Sequence, residues 1–149
     1  MVTPGSLDRF LKKHHRVGLN SNILIYFIEG VPAYKKLTQR IFESIEAGQN
    51  QGVCSTLTLL EILVQPYRKQ NETLLNEFYG LLTTYPNLEW MDMTVDIADT
   101  GARLRAEYGL KTPDSIVMAT TLRSGATGLI ANDAQLKKVK ELNVLVLDG

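Results

Sequence analysis

Residues 17–29 read Val17-Gly-Leu-Asn-Ser-Asn-Ile-Leu-Ile-Tyr-Phe-Ile-Glu29. The segment opens on an apolar, β-branched run with no alternation, breaks at Asn20-Ser21-Asn22, and turns apolar again. A strand of a parallel sheet is covered on both faces, so continuous rather than alternating hydrophobicity is its mark. The segment therefore predicts a buried strand from Val17 that leads into a helix near Ser21–Glu29.

The flanking sequence repeats this alternation. Pro32–Ala47 predicts an amphipathic helix with Leu37, Ile41 and Ile45 on its apolar stripe, Pro32 in the first turn and Gly48 as the stop. Gln51–Ser55 predicts a second strand. Thr58–Gln65 predicts a helix that is apolar nearly all round and closed by Pro66. Asn71–Thr84 predicts another helix and Leu88–Met93 a strand. Thr94–Tyr108 predicts a helix with Thr94 as N-cap and Gly109 as stop. A helix over Pro113–Arg123, a strand over Gly128–Ala131, a helix over Ala134–Leu142 and a strand over Asn143–Leu147 complete the chain. Strands alternating with helices through short connections predict a three-layer α/β domain with a parallel sheet. No internal repeat, low-complexity tract or linker interrupts residues 1–149, so one domain is expected.

Composition narrows the function classes. Apolar residues make up 44% of the 149 and charged residues 21%, an ordinary globular balance. Lys plus Arg and Asp plus Glu each number 16, so no overall basic coat for gripping duplex nucleic acid exists. The single cysteine, Cys54, has no internal disulfide partner, which fits a reducing compartment. The opening Met1-Val-Thr-Pro-Gly-Ser-Leu-Asp8 lacks the apolar core of a signal peptide, and no apolar run is long enough to cross a bilayer. A soluble cytoplasmic protein with no membrane partner is the expectation. Residues 1–16 carry Arg9, Lys12, Lys13, His14, His15 and Arg16. They read either as a basic arm for RNA or as a solvated helix face outside the sheet.

Ligands of an open parallel sheet bind beyond the carboxyl ends of its strands. The first predicted strand ends at Asn20-Ser21-Asn22 and the fourth at Asn132-Asp133, while Asp114 falls in the first turn of its helix. Glu61 is set among Leu57, Leu59, Leu60, Ile62, Leu63 and Val64. A carboxylate drawn toward a dry interior needs a cation, a donor or a proton. Glu61 alternatively occupies a thin polar strip with Thr58 and Gln65. Asp114 alternatively serves the helix dipole, and Asp133 the cap of the helix that follows. Asp96 and Asp99 share a helix face but sit in a first turn, and read as structural. His14 and His15 have no third ligand in view. No Ser-His-Asp set, zinc motif, GxxxxGK[ST] loop or GxGxxG loop is present, which disfavours a nucleotide-dependent enzyme.

At these residues the chain resembles the PIN-domain ribonucleases, and within them the VapC-type toxins of bacterial toxin–antitoxin pairs. Four blocks carry the resemblance: Gly18-Leu-Asn-Ser-Asn-Ile-Leu-Ile-Tyr26, Ser55-Thr-Leu-Thr-Leu-Leu-Glu61, Tyr108-Gly-Leu-Lys-Thr-Pro-Asp-Ser-Ile-Val-Met-Ala-Thr120 and Ile130-Ala-Asn-Asp133. The resemblance implies a three-layer α/β/α fold with a central parallel sheet of about five strands. It implies cleavage of RNA dependent on Mg²⁺ or Mn²⁺, a homodimer, and silencing by a small antitoxin protein. Glu61, Asp114 and Asp133 match acidic metal-site positions of the family, and Asn20 falls where the family pattern has Asp. Asn22 matches a supporting polar residue, with Ser21 and Asn132 beside the site. Mg²⁺ prefers oxygen ligands and keeps several waters, which suits clustered carboxylates.

Asn20 retains one carbonyl oxygen but loses a full negative charge, and its NH₂ group can face a cation unfavourably. Weaker metal binding and lower activity than in an Asp-bearing relative are expected, whether the residue is an introduced or a natural change. Ala131, where relatives often carry Thr or Ser, is a second departure. Single-stranded or looped RNA is the expected substrate class. Arg103, Arg105 and Lys111, near the Asp114 block, are the candidate phosphate contacts or else solvated helix charges. A partner helix is expected in an apolar groove between the helices of Pro32–Ala47 and Thr58–Thr84. A non-catalytic PIN domain that binds RNA or protein is the second reading. A phosphatase of the haloacid dehalogenase type is disfavoured, because Asn20-Ser21-Asn22 supplies neither of the two Asp residues such enzymes need.

Overall fold

The computed structural model describes all residues, 1–149. Helix α1 (Pro4–Lys13) leads into β1 (Arg16–Leu19), α2 (Ser21–Glu29), α3 (Lys35–Glu46), β2 (Gln51–Ser55), α4 (Thr56–Arg68) and α5 (Glu72–Thr83). Then follow β3 (Leu88–Met91), α6 (Val95–Tyr108), α7 (Thr112–Arg123), β4 (Gly128–Ala131), a 3₁₀ turn over Ala134–Lys138 and β5 (Asn143–Val146). The five strands form one sheet in the order β3-β2-β1-β4-β5. Every pair is parallel, with Val17 opposite Gly52 on one side and Gly128 on the other.

Each strand feeds both faces of the sheet, as period-two geometry requires. Val17, Leu19, Cys54 and Ile130 join α1–α5 in one core. Leu129, Ala131, Val144 and Val146 join α6 and α7 in another. This is the expected three-layer α/β/α domain with a parallel five-stranded sheet. Gly18 points at α7, where a Cβ would lie 2.7 Å from Thr121 Cγ2 and 3.0 Å from Leu129 Cδ1. Its missing side chain lets α7 cross the central strand closely.

Several boundaries differ from expectation for identifiable reasons. Pro32 lies in a turn before α3, which begins at Lys35. Helix α4 runs through Pro66 to Arg68. The missing N–H there forfeits one i→i−4 bond, a cost confined to the last turn. Helix α5 covers Glu72–Thr83, with the Asn71 side chain accepting from the Leu74 N–H at 3.1 Å. The strand expected to reach Met93 ends at Met91. The helix expected over Ala134–Leu142 is a single 3₁₀ turn. Leu136 is its buried residue, and the backbone is extended again at Val139, so Val139 and Leu142 reach the core from the loop that leads into β5.

The basic amino-terminal segment is a docked helix. Leu7, Phe10 and Leu11 are in the core, while Arg9, Lys12 and Lys13 are exposed. His14 is buried, its Nε2 facing the Asn143 amide at 2.9 Å and its Nδ1 the Thr127 hydroxyl at 2.7 Å. Burial, with help from Lys13, lowers its pKa. Arg16 pairs with Glu89 and donates to Gln51 at 2.5 Å. These contacts lie where β1, β2, β4 and β5 begin, at the edge opposite the carboxyl ends. The segment is therefore no free arm.

Candidate metal centre

Strand β1 ends at Leu19, and Asn20, 7% exposed, follows it. The Asn20 N–H donates to the Ile130 carbonyl at 3.1 Å, which ties the carboxyl ends of β1 and β4 together. Its side-chain oxygen accepts from the Ser21 N–H at 2.9 Å and caps α2. That hydrogen bond takes one of the two lone pairs on the amide's only acceptor atom. Asp133, just past β4, caps the 3₁₀ turn by accepting from the Gln135 N–H at 3.0 Å through Oδ1. Asp114 stands in the first turn of α7, and Glu61 lies inside α4, the helix that follows β2.

The three carboxylates form an electrostatic series. Partial burial raises the Glu61 pKa, and the charge of Asp114 raises it further. Burial likewise raises the Asp114 pKa, followed by the charge of Asp133, against the opposing effect of Lys111 and Lys138. Asp114 is thus the middle member, within electrostatic reach of the other two. Like charges at low dielectric raise one another's affinity for a proton and, by the same physics, for a cation.

No group of three His, Cys, Asp or Glu side chains converges closely enough to hold a metal ion as a complete cage. The donor set suits a hard ion that keeps waters and takes one or two carboxylates, the usual habit of Mg²⁺. Two further oxygens, Asn22 Oδ1 and Thr58 Oγ1, are buried without a partner. Asn22 is two residues from Asn20, and Thr58, fully buried, is one helical turn before Glu61.

Other expected residues divide. Ser21 contributes its backbone N–H to Asn20. Asn132 is held instead by Tyr26, Tyr34 and Asp148. Arg103 is engaged by Glu141 at 2.7 Å and by Glu107 at 3.3 Å, so its charge is committed to braces of α6. Arg105 donates to the Leu110 carbonyl and the Thr112 hydroxyl, each at 2.9 Å, and braces the α6–α7 corner. The charge of Lys111 reaches Asp114 and opposes the rise of its pKa. The sequence reading missed Lys138, whose signal was only its place in the run Lys137-Lys138-Val139-Lys140.

Surface features lie elsewhere. The apolar residues of α3 (Leu37, Ile41, Phe42, Ile45) are buried, so the partner groove expected beside that helix is closed. The exposed large apolar side chains of this region are on α4 and α5: Leu60, 62% exposed, Tyr67, 58%, with Val64 and Tyr79. A polar cavity of about 690 Å³ lies between α1 and α3, and none of the candidate carboxylates lines it. No helix is long and apolar enough to cross a membrane.

Comparison with known proteins bears on this arrangement. No curated protein matches the sequence. The fold is similar to that of VapBC2 from Rickettsia felis bound to a DNA fragment from their promoter. That match has 19% identity and a TM-score of 0.70, over 88% of this chain and 98% of that one. It is also similar to a toxin–antitoxin complex from Klebsiella pneumoniae, at 23% identity and a TM-score of 0.64, over 87% and 96% of the two chains. A third similar structure is VapC20 of Mycobacterium tuberculosis, a sarcin-ricin loop cleaving toxin, at 12% identity and a TM-score of 0.66, over 83% and 95%. Identities this low speak for the fold. The PIN domain profile matches residues 19–142, which run from the last residue of β1 through β2, β3 and β4 and stop just before β5. By that match, the chain belongs to the PIN-domain family.

Proposed function

We propose that this chain is a VapC-type toxin, a divalent-metal-dependent endoribonuclease that hydrolyses RNA phosphodiester bonds, in a form weakened at Asn20. The observation that carries the reading is the electrostatic series Glu61–Asp114–Asp133 at the carboxyl edge of the sheet, with two of its members pushed toward protonation. A folded protein that keeps such a series gains from a cation there. The similarity to toxin–antitoxin structures supports the toxin assignment and a small antitoxin partner. A homodimer and a cytoplasmic location complete the proposal.

Asp114, with Asp133 or Glu61 beside it and water filling the rest of the shell, would hold Mg²⁺ or Mn²⁺, with Asn20 and the neighbourhood of Asn22 at its margin. When bound, such an ion polarises the phosphoryl group and lowers the pKa of a bound water. Lys111 and Lys138 flank Asp114 and are placed to draw RNA phosphates to the site without a general basic coat. An Asp at position 20 would use one oxygen to cap α2 and keep the other, with its charge, for the cation. Asn20 has a single oxygen, shared with the Ser21 N–H, and brings no charge to a cation.

The same fact favours a second reading, a PIN domain that binds RNA or a protein partner without cleaving. Restoring the acid separates the two. Asn20→Asp is expected to raise Mg²⁺-dependent cleavage of single-stranded RNA by at least about a hundredfold, the scale on which a site's charge-stabilising group acts. It should also inhibit growth when expressed. Unchanged cleavage with retained RNA or partner binding supports the second reading.

A further inference from the structure

Beside the carboxylates lies a hydrogen-bonded network that the nuclease reading does not use. Asn132 sits between β4 and Asp133. Its Nδ2 faces the Tyr26 hydroxyl at 3.1 Å, the Tyr34 hydroxyl at 3.1 Å and Asp148 Oδ2 at 3.0 Å. An amide has two such hydrogens, so these acceptors share them. Its Oδ1 accepts from the Asp148 N–H at 2.9 Å. The Tyr34 hydroxyl donates to the Asp148 carboxylate, with both oxygens at 2.9 Å. The Tyr26 and Tyr34 rings stack with centroids 4.1 Å apart and planes within 9°. One backbone bond, from the Leu147 N–H to the Ala131 carbonyl at 3.1 Å, closes the arrangement from below.

Three separate parts of the chain therefore grip one residue: α2 through Tyr26, the approach to α3 through Tyr34, and the segment after β5 through both the backbone and the side chain of Asp148. The residue gripped is the one immediately before Asp133. Asp133 Oδ1 is already fixed to the Gln135 N–H, so the direction of its other oxygen follows from the backbone at 132–133.

We infer that Asn132, Tyr34 and Asp148 are positioning residues that hold Asp133 in place against Asp114. The inference builds on the metal-site reading: a carboxylate in a water-carrying site is held by few ligands and needs its orientation set from behind. Groups that orient metal-binding side chains typically contribute ten- to a hundredfold in affinity. Tyr34→Phe is the sharpest probe, because it keeps the ring stack and removes only the hydroxyl. Asp148→Asn keeps the backbone N–H to Asn132 and an acceptor for Tyr34.

The test combines Mn²⁺ titration by electron paramagnetic resonance with amide NMR, on the Asn20→Asp background where binding is strongest. Tyr34→Phe is expected to weaken Mn²⁺ binding about tenfold and to shift the Gln135 amide. The Leu57 amide, which donates to the distant Ser55 cap, should stay unmoved. Asp148→Asn should recover most of the Mn²⁺ affinity that Asp148→Ala loses. Unchanged Mn²⁺ affinity together with an unmoved Gln135 amide overturns the inference. If the background protein binds no Mn²⁺ yet Tyr34→Phe moves the Gln135 amide, the metal reading fails and the positioning of Asp133 stands.

Discussion

Glu61 shows how far one residue was legible. The all-apolar neighbourhood Leu57–Val64 says that a carboxylate there is out of place, and the structure leaves it partly buried with Asp114's charge near it. Its partner was not legible, because Asp114 lies 53 positions away in the numbering and only the fold brings α4 to α7. The sign of its effect on stability follows directly. A carboxyl whose folded pKa lies above its unfolded value stabilises the fold fully below the unfolded value, and that contribution is lost as pH rises through the folded one. Glu61→Gln should therefore raise the melting temperature at neutral pH, by about 2 °C for a chain of this size. The gain should vanish on acidification below the carboxylate range. A melting temperature that falls, or a gain that persists at low pH, would refute the strain assigned to Glu61. Asn20 was read as a departure from an acidic pattern, but not as the residue whose side-chain oxygen caps α2. Capping depends on the backbone direction at the end of β1, which no single residue announces.

At the scale of elements, hydrophobic period carried most of the reading. Gln51–Ser55 and Gly128–Ala131 match the strands expected, and Thr94 and Gly109 cap α6 as anticipated. Failures came where local rules compete with packing. Pro66 was read as a stop, yet α4 continues because the lost bond falls in its final turn. The segment 134–142 was read as an α-helix, but only Ala134–Lys138 turns, and the backbone is extended at Val139. Close packing of α7 on β1 also has a test. Gly18→Ala would drive a Cβ into Thr121 and cost about 2 kcal/mol, the usual scale for overpacking. A denaturant midpoint as high as that of the parent chain would show that α7 is free to shift.

At the scale of the molecule, the sheet separates two ends with different work. Its starting edge is closed by α1, His14 and the Arg16–Glu89 pair. Past its carboxyl ends stand Asn20 and Asp133, and the charge of Asp133 reaches Asp114 as that of Asp114 reaches Glu61. Zero net charge leaves only local charge to act, and Lys111 and Lys138 are the cations whose charge reaches Asp114. Of the two readings of residues 1–16, the solvated helix face holds, with Arg9, Lys12 and Lys13 exposed on α1; the depth at which Leu7, Phe10 and Leu11 dock was not visible in the charge content. The central claim is that the acidic series is a cation site short of one charge at position 20. Direct Mn²⁺ titration of three proteins tests it: the chain as it stands, Asn20→Asp and Asp114→Asn. The account predicts that Asn20→Asp binds about tenfold tighter than the chain as it stands, roughly 1.4 kcal/mol, and that Asp114→Asn binds more weakly than either. Equal affinities in all three would contradict it.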